Sequence, residues 1–286
     1  LSPSSAASDV YKRQTLEVLK EIGVSRLGFD EVPMGTYRRL EELLGREGLV
    51  DVGEKIWALR KAKEEDEVAS IRRACSIAVK GMEVASEVVE EGRTELEIAG
   101  EIEEALRKAG SEEHPFNTIV ASGPSSALPH ARPSGRKLEP GDLVVVDIGA
   151  TYGGYVSDMT RTFVVGRASG WQEELYSLVL RAQQEAIEAL RAGSRASEVD
   201  GVARSIIEEG GYGPYFVHSL GHGLGIEVHE PPRLAPGSEE ELKANYVITV
   251  EPGIYLPGKG GIRIEDTVLV LEDGREVLTA FPYRLS

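Results

Sequence analysis

Apolar residues recur at helical spacing at Val68, Ile71, Cys75, Ala78, Val79, Met82, Ala85 and Val89, which predicts one long helix closed at Gly92. Thr94 with Glu97, and Ser197 with Asp200, have the spacing of capping boxes, opening helices that stop at Gly110 and Gly210. A further long helix is expected from about Trp171 to Ala192. Strand signals fill the remainder: "FNTIVASG", "DLVVVDIGA", "YVSDMTRTFVVG", "YVITVEPGIYL" and "IRIEDTVLVLEDG". Helices in pairs with antiparallel hairpins between them predict an α+β domain, its helices packed on one face of a curved antiparallel sheet. Before it, from Thr15 to about Arg60, short pieces alternate: "TLEVLKEIG" and "GTYRRLEELLG" as helices, the latter with Leu40, Leu43 and Leu44 on one side, and "SRLGFD" and "GLVDVG" as strands. That is the tail of an α/β unit, too small to hold a core alone. "ALRKAKEEDE" reads as a connector, which places a domain boundary near Arg60.

Polar groups interrupt this pattern at a few positions. "VVVDIGATYGGYVSDMTRT" sets Asp147 inside an apolar strand and Asp158 just beyond a glycine turn. A turn centred between Tyr152 and Gly153 would bring the two side chains opposite one another, with Cβ atoms about 5 Å apart. Like charges that close repel on a half-buried sheet, so a cation must lie between them or one must stay protonated. The plain alternative is a pair of strand-edge aspartates facing water. "SLGHGLGIEVHE" carries His222 and His229 among glycines, with His218 just before, while Glu251 and Glu265 interrupt "VITVEPGIY" and "GGIRIEDTVLV". A lone acid or histidine in such a place is more often a satisfied core group. Four carboxylates and one imidazole in strand or glycine-flanked contexts need about two divalent cations to be tolerable. An oxygen-rich set with one imidazole suits Mn²⁺ or Co²⁺, with Zn²⁺ as the next choice. Two such ions about 3.5–4 Å apart hold a hydroxide and polarise a carbonyl, so the chemistry expected is hydrolysis.

Composition narrows the partners. The 286 residues carry a formal charge of −16, which argues against nucleic acid and anionic membrane. The single cysteine, Cys75, falls on the apolar side of its helix as a buried structural thiol; one cysteine rules out an internal disulfide framework and fits a reducing, cytoplasmic setting. No apolar run approaches the ~20 residues of a membrane span. "SSAASDVYKRQ", Ser4 to Gln14, is a codon-by-codon translation of a common transposase sequencing adapter. Residues 1–14 are therefore read as an assembly scar, with the natural N-terminus missing and any signal peptide undetermined.

Asp147, Asp158, His222, Glu251 and Glu265 match, in order, type and spacing, the five metal ligands of the pita-bread metallopeptidases. Within that family, "GPSSALPHARPS", "SLGHGLGIEVHE", "EPGIY" and "GIRIED" resemble the proline-peptidase branch of Xaa-Pro dipeptidases and Xaa-Pro aminopeptidases. The resemblance runs from about Lys61 to the C-terminus. It implies a pita-bread (creatinase/aminopeptidase-like) catalytic domain at residues 61–286, preceded by the truncated remnant of an α/β domain at 15–60. It assigns Asp147 to one metal, His222 and Glu251 largely to the other, and Asp158 and Glu265 as bridges. His130, His218 and His229 match the family's non-ligand histidines, of which His229 would serve the oxyanion or the leaving nitrogen while His130 and His218 position substrate. Glu251 would take the proton of the bridging hydroxide, and Arg263 would fix the carboxylates from behind. Arg233 is either a clamp for a peptide carboxylate or, more simply, an exposed structural arginine; His114 is read as structural.

The reaction so implied is metal-dependent hydrolysis of the Xaa-Pro bond, prolidase-like, on small peptides with proline in second position, by a homodimer when the N-terminal domain is intact. An Xaa-Pro bond has no N–H, so a metal pair that grips amine and carbonyl avoids a donor most proteases use. The alternatives are an aminopeptidase P acting on longer peptides, a methionine aminopeptidase, a metal-free creatinase-like enzyme, and a non-catalytic pita-bread binding module.

Overall fold

The computed structural model describes residues 14–285. The segment read as an adapter scar lies outside them except for Gln14. The chain divides into two compact units, one ending at Arg60 and the other beginning at Lys61.

In the first unit a helix at residues 14–21 precedes strand β1 (Leu27–Phe29), helix α1 (Met34–Leu44), strand β2 (Leu49–Asp51) and helix α2 (Gly53–Lys61). The two strands run parallel, with Leu27 opposite Leu49, as a crossover through a helix requires. Leu40 is the buried residue of α1. The expected connector "ALRKAKEEDE" is corrected: its first four residues complete α2, because Ala, Leu, Arg and Lys are all strong helix formers.

In the second unit two helix pairs back two antiparallel sheets. Helices α3 (Glu65–Val88) and α4 (Glu95–Ala109) cover strands β3 (Ile119–Ser122), β4 (Leu143–Ile148) and β7 (Met159–Val164), with the small hairpin β5 (Thr151–Tyr152) and β6 (Tyr155–Val156) between β4 and β7. Helices α5 (Gly170–Ala189) and α6 (Ala196–Glu209) cover the five-stranded sheet of β8 (Gly221–Gly223), β9 (Glu230–Leu234), β10 (Val247–Val250), β13 (Asp266–Leu271) and β14 (Gly274–Val277), ordered β14-β13-β10-β8-β9. The hairpin β11 (Gly253–Leu256) and β12 (Gly260–Arg263) joins β10 to β13. The expected curved sheet is thus antiparallel but divided into separate hydrogen-bonded ladders. Among the described residues no helix is long and apolar enough to cross a membrane.

Alternation along the strands sets which face carries chemistry. Val144, Val146 and Ile148 pack with Ile77, Met82, Ile98, Ile102 and Leu106 of the helices, so Val145 and Asp147 point to the opposite face. Ile248 and Val250 likewise enter the core under α5 and α6, leaving Thr249 on the other side. Each large apolar side chain buried contributes about 1.5–3 kcal/mol. A one-residue slip of β4 would exchange that core face for Val145 and Asp147, so the helices hold the register that aims Asp147.

Local differences from the expected elements have local causes. Helix α3 ends at Val88 rather than running to Gly92: Val88 and Val89 are β-branched, and Glu90 and Glu91 would place anions at the negative end of the helix dipole. Helix α4 begins and ends as expected, with the Thr94/Glu97 box and a left-handed Gly110. Helix α6 starts earlier, with Arg195 at its N-cap and the Arg195 N–H donating to Glu198 Oε2 at 3.5 Å, because Asp200 is engaged elsewhere: its carboxylate accepts from Arg204 at 2.8 Å and from the Leu220 N–H at 3.1 Å. Cys75 is buried against α3's neighbours, and desolvation pushes its thiol up.

Candidate metal centre

The hairpin that carries the two aspartates turns one residue later than expected. Gly153 (φ +59°) and Gly154 (φ +78°) are the central pair, with Tyr152 opposite Tyr155. A two-residue loop matched to the twist of its strands needs positive φ at both positions, which Gly154 adopts freely and Tyr152 does not. Asp147 therefore pairs with Thr160, and Asp158 sits just outside β7. The two carboxyls still lie close enough for the charge of Asp147 to help push Asp158 up.

The other acids are not strand residues. Glu251 directly follows β10, its N–H donating to Leu220 O at 2.8 Å, and Glu265 lies in the short link from β12 to β13, its N–H donating to Thr160 O at 3.1 Å. Arg263 ends β12, so it shares no strand with Glu265. His222 is the middle of β8, wedged between β9 and β10 by glycines on both sides. A Cβ on Gly221 would stand 1.9 Å from Thr249 O, and one on Gly223 2.4 Å from Pro231 O. His222, flanked by them, points to the face that Thr249 shares.

Asp158, His222 and Glu265 each bring one ligand atom within 4.8 Å of the others. His222 Nε2 lies 3.2 Å from Glu251 Oε1 and 3.9 Å from Asp158 Oδ2. Arg263 Nη2 donates to Asp147 Oδ2 at 2.6 Å. A floor of buried threonines orients the acids: Thr160 Oγ1 donates to Glu265 Oε2 at 2.6 Å, Thr249 Oγ1 to Glu251 Oε1 at 3.3 Å, and Thr267 Oγ1 to Asp158 O at 2.7 Å.

Electrostatics then favours cations. Two unit charges 4 Å apart interact by about 4 kcal/mol at an effective dielectric of 20. Burial first, then the charges of Glu265, Asp147 and Glu251, push Asp158 well up; burial followed by Glu251 and Asp147 does the same to Glu265. Burial also raises Asp147 against the opposing pull of Arg263. For Glu251 burial is the largest influence, but the hydrogen bond and charge of His222 outweigh it and hold the acid down to about 2. The same bond raises His222 despite its desolvation. Asp147 Oδ1 and Asp158 Oδ1 are buried without any hydrogen-bond partner. Buried carboxylate oxygens rarely go unpaired. Hard divalent cations fit this donor set, four carboxylates and one imidazole.

The remaining predicted residues ring the acids. The His229 ring packs edge-on against His222 with centroids 4.4 Å apart, and is exposed. His218 Nε2 is 3.0 Å from the Tyr255 hydroxyl, which accepts from Arg263 Nη1 at 2.9 Å. Desolvation lowers both His218 and His229. His130 is exposed on its loop and does not join the cluster of acids; Arg263 Nη1 reaches the neighbouring Pro129 O at 3.1 Å. Arg233 is exposed and donates to Ser219 Oγ at 3.3 Å. Tyr255 and the threonines went unread in the sequence. Tyr255 lay within "EPGIY", and the threonines at alternate positions facing Asp147 were the available signal.

Two helix-backed antiparallel sheets meeting over a cluster of buried carboxylates form the pita-bread architecture of metal-dependent peptidases. The chain belongs to metallopeptidase family M24, which matches residues 69–272. It is 51% identical over 221 residues to an Xaa-Pro dipeptidase of Pyrococcus furiosus, covering 77% of this chain and 64% of that protein. The crystal structure of the prolidase from Pyrococcus horikoshii superposes with a TM-score of 0.91 at 44% identity, covering 95% of this chain and 79% of the other. The X-Pro aminopeptidase from Thermotoga maritima also reaches 0.91, at 39% identity over 96% of this chain and 78% of the other.

Proposed function

We propose that this chain hydrolyses the Xaa-Pro bond of dipeptides with two divalent ions, held by Asp147, Asp158, His222, Glu251 and Glu265. The observation that carries the reading is the pair of unpartnered, buried oxygens on Asp147 and Asp158. The Xaa-Pro dipeptidase relatives support the dipeptide substrate. Mn²⁺ or Co²⁺ suits the donor set best, and Zn²⁺ next. A cytoplasmic homodimer is the assembly proposed, the single cysteine favouring the reducing compartment.

Bound there, the ions supply a nucleophile near neutral pH and polarise the scissile carbonyl. The chain does the rest. Glu251, ionised and hydrogen-bonded to His222, accepts the nucleophile's proton. His229 stands on the open side of His222 and passes a proton to the proline nitrogen as the C–N bond breaks. Desolvation lowers His229, so the ring holds no standing positive charge and passes on the proton that Glu251 has taken up. His218, Tyr255 and Arg263 form a hydrogen-bonded row that holds Asp147 and faces the substrate.

A second reading, cleavage of longer peptides as an Xaa-Pro aminopeptidase, draws on the equally close Thermotoga maritima structure. The test is hydrolysis of Ala-Pro against Ala-Pro-Ala by the chain loaded with Mn²⁺ or Co²⁺, with Asp158→Asn as control. Cleavage of Ala-Pro alone is expected. Preference for the tripeptide would replace the dipeptidase reading, and no metal-dependent cleavage of either would overturn both.

A further inference from the structure

One buried acid outside the metal cluster ties together a segment that touches Arg263 behind Asp147. Glu95 opens helix α4 and is 1% exposed. Its carboxylate accepts four hydrogen bonds from two serines: Ser122 N at 2.7 Å and Oγ at 2.6 Å on Oε1, and Ser134 N at 3.0 Å and Oγ at 2.7 Å on Oε2. Ser122 ends β3 and Ser134 lies twelve residues on, so one carboxylate closes the neck of the whole intervening segment. The helix start reinforces it: Glu95 N–H donates to Arg136 O and Leu96 N–H to Ser134 O, both at 3.1 Å. Arg136 completes the neck, donating to Ser122 Oγ at 2.7 Å and to Asp142 Oδ2 at 2.5 Å.

Between the two serines lie Leu128, 61% exposed, and His130, also exposed. The middle of the segment leans on the centre, where Arg263 Nη1 donates to Pro129 O at 3.1 Å and Gly261 N–H to Ser126 Oγ at 2.8 Å. The same guanidinium holds Asp147 through Nη2, so Pro129, and His130 directly after it, stand one side chain away from the acids.

We propose that Glu95 is a positioning residue: by pinning Ser122 to Ser134 it fixes where His130 and Leu128 stand at the mouth of the metal centre. A carboxylate suits the task because it offers acceptors on both oxygens, whereas each serine presents two donors. Charge-assisted bonds at both ends also remove the freedom that an exposed segment of this length would keep. The inference rests on the proposed function for the substrate whose KM is read, but not for what Glu95 holds.

Glu95→Gln keeps the shape and turns an NH₂ towards one pair of serine donors. Compared with the parent, it is expected to speed amide hydrogen exchange across residues 122–134 while leaving α3 and the bound metal unchanged. The KM for Ala-Pro should rise about tenfold with kcat within about twofold. Added to His130→Ala, the substitution should raise KM no further. Unchanged exchange and KM would overturn the inference, as would a fall in metal content or kcat without a KM change, or full additivity with His130→Ala. A parent chain that cleaves no Xaa-Pro peptide defeats the proposed function instead, and exchange across 122–134 then decides the anchoring alone. If Glu95→Gln does not fold, Ser134→Ala, which removes one hydroxyl donor, is read by the same exchange and KM.

Discussion

Arg263 Nη2 donates to Asp147 Oδ2 at 2.6 Å, joining residues 116 positions apart. The same guanidinium reaches Thr160 through Nε and Tyr255 and Pro129 through Nη1, so one side chain links β7, the β11–β12 hairpin and the His130 segment behind the acids. It satisfies one oxygen of Asp147 and leaves the other free to bind.

Arg263→Met should therefore release Asp147 from its orientation and weaken divalent-ion binding about 10- to 100-fold, the usual effect of losing a partner behind a metal ligand. Competition against a metal-sensitive fluorophore measures it. Unaltered affinity would mean that Asp147 is held by its strand alone.

Asp158 is pushed up by burial and by the charges of Glu265, Asp147 and Glu251, so it strains the metal-free fold. Asp158→Asn is expected to raise the melting temperature of the chelator-treated chain and to abolish the rise that Mn²⁺ produces in the parent. At a hundredfold excess over Kd that rise corresponds to about 2.7 kcal/mol, or several degrees. Thermal scans with and without Mn²⁺ decide the matter; a lower metal-free melting temperature in the variant would contradict it.

Metal uptake should release protons. Asp158, Glu265, Asp147 and His222 are all raised, so each holds a proton to higher pH in the metal-free chain than an ordinary group of its type. Their contribution to metal-free stability is present at low pH and lost as pH rises through the raised values; Glu251, lowered from 4.5 to about 2, works the other way, contributing at neutral pH and losing that contribution as pH falls between those two values. Because ions displace those protons, affinity should climb with pH. Calorimetry in two buffers of different ionisation enthalpy reads the release directly, and identical heats in both would refute it.

Gly221→Ala should disable the centre through the backbone. Its Cβ would lie 1.9 Å from Thr249 O, forcing β8 away from β10. The cost falls at or above the upper end of the about 1–3 kcal/mol typical of overpacking. Loss of metal binding with lowered thermal stability is the expected outcome, checked by metal content and circular dichroism.

The parts of this protein that were readable along the chain were those governed by neighbours within a few residues. The α4 cap at Thr94 and its stop at Gly110 followed from short-range hydrogen bonding and from glycine's access to a left-handed backbone. Helix α6 was misread where a distant partner intervened, since Asp200 serves Arg204 and Leu220 rather than a cap. In the hairpin, both glycines were visible, but the choice of which pair turns depended on strand twist, and it moved Asp147 opposite Thr160.

By itself, then, the sequence determined which residues could bear the chemistry: acids and a histidine placed where strands want apolar side chains, and the motifs that tie them to a family. Only the tertiary structure decided their partnerships. Thr160 meets Glu265 across 105 residues, and Glu95 joins Ser122 to Ser134 from a separate helix. Local pattern encodes backbone preference and the face a side chain takes. Which faces then meet depends on how two helix pairs bury their apolar sides against the sheets, an energy summed over the whole core and written in no single stretch of it.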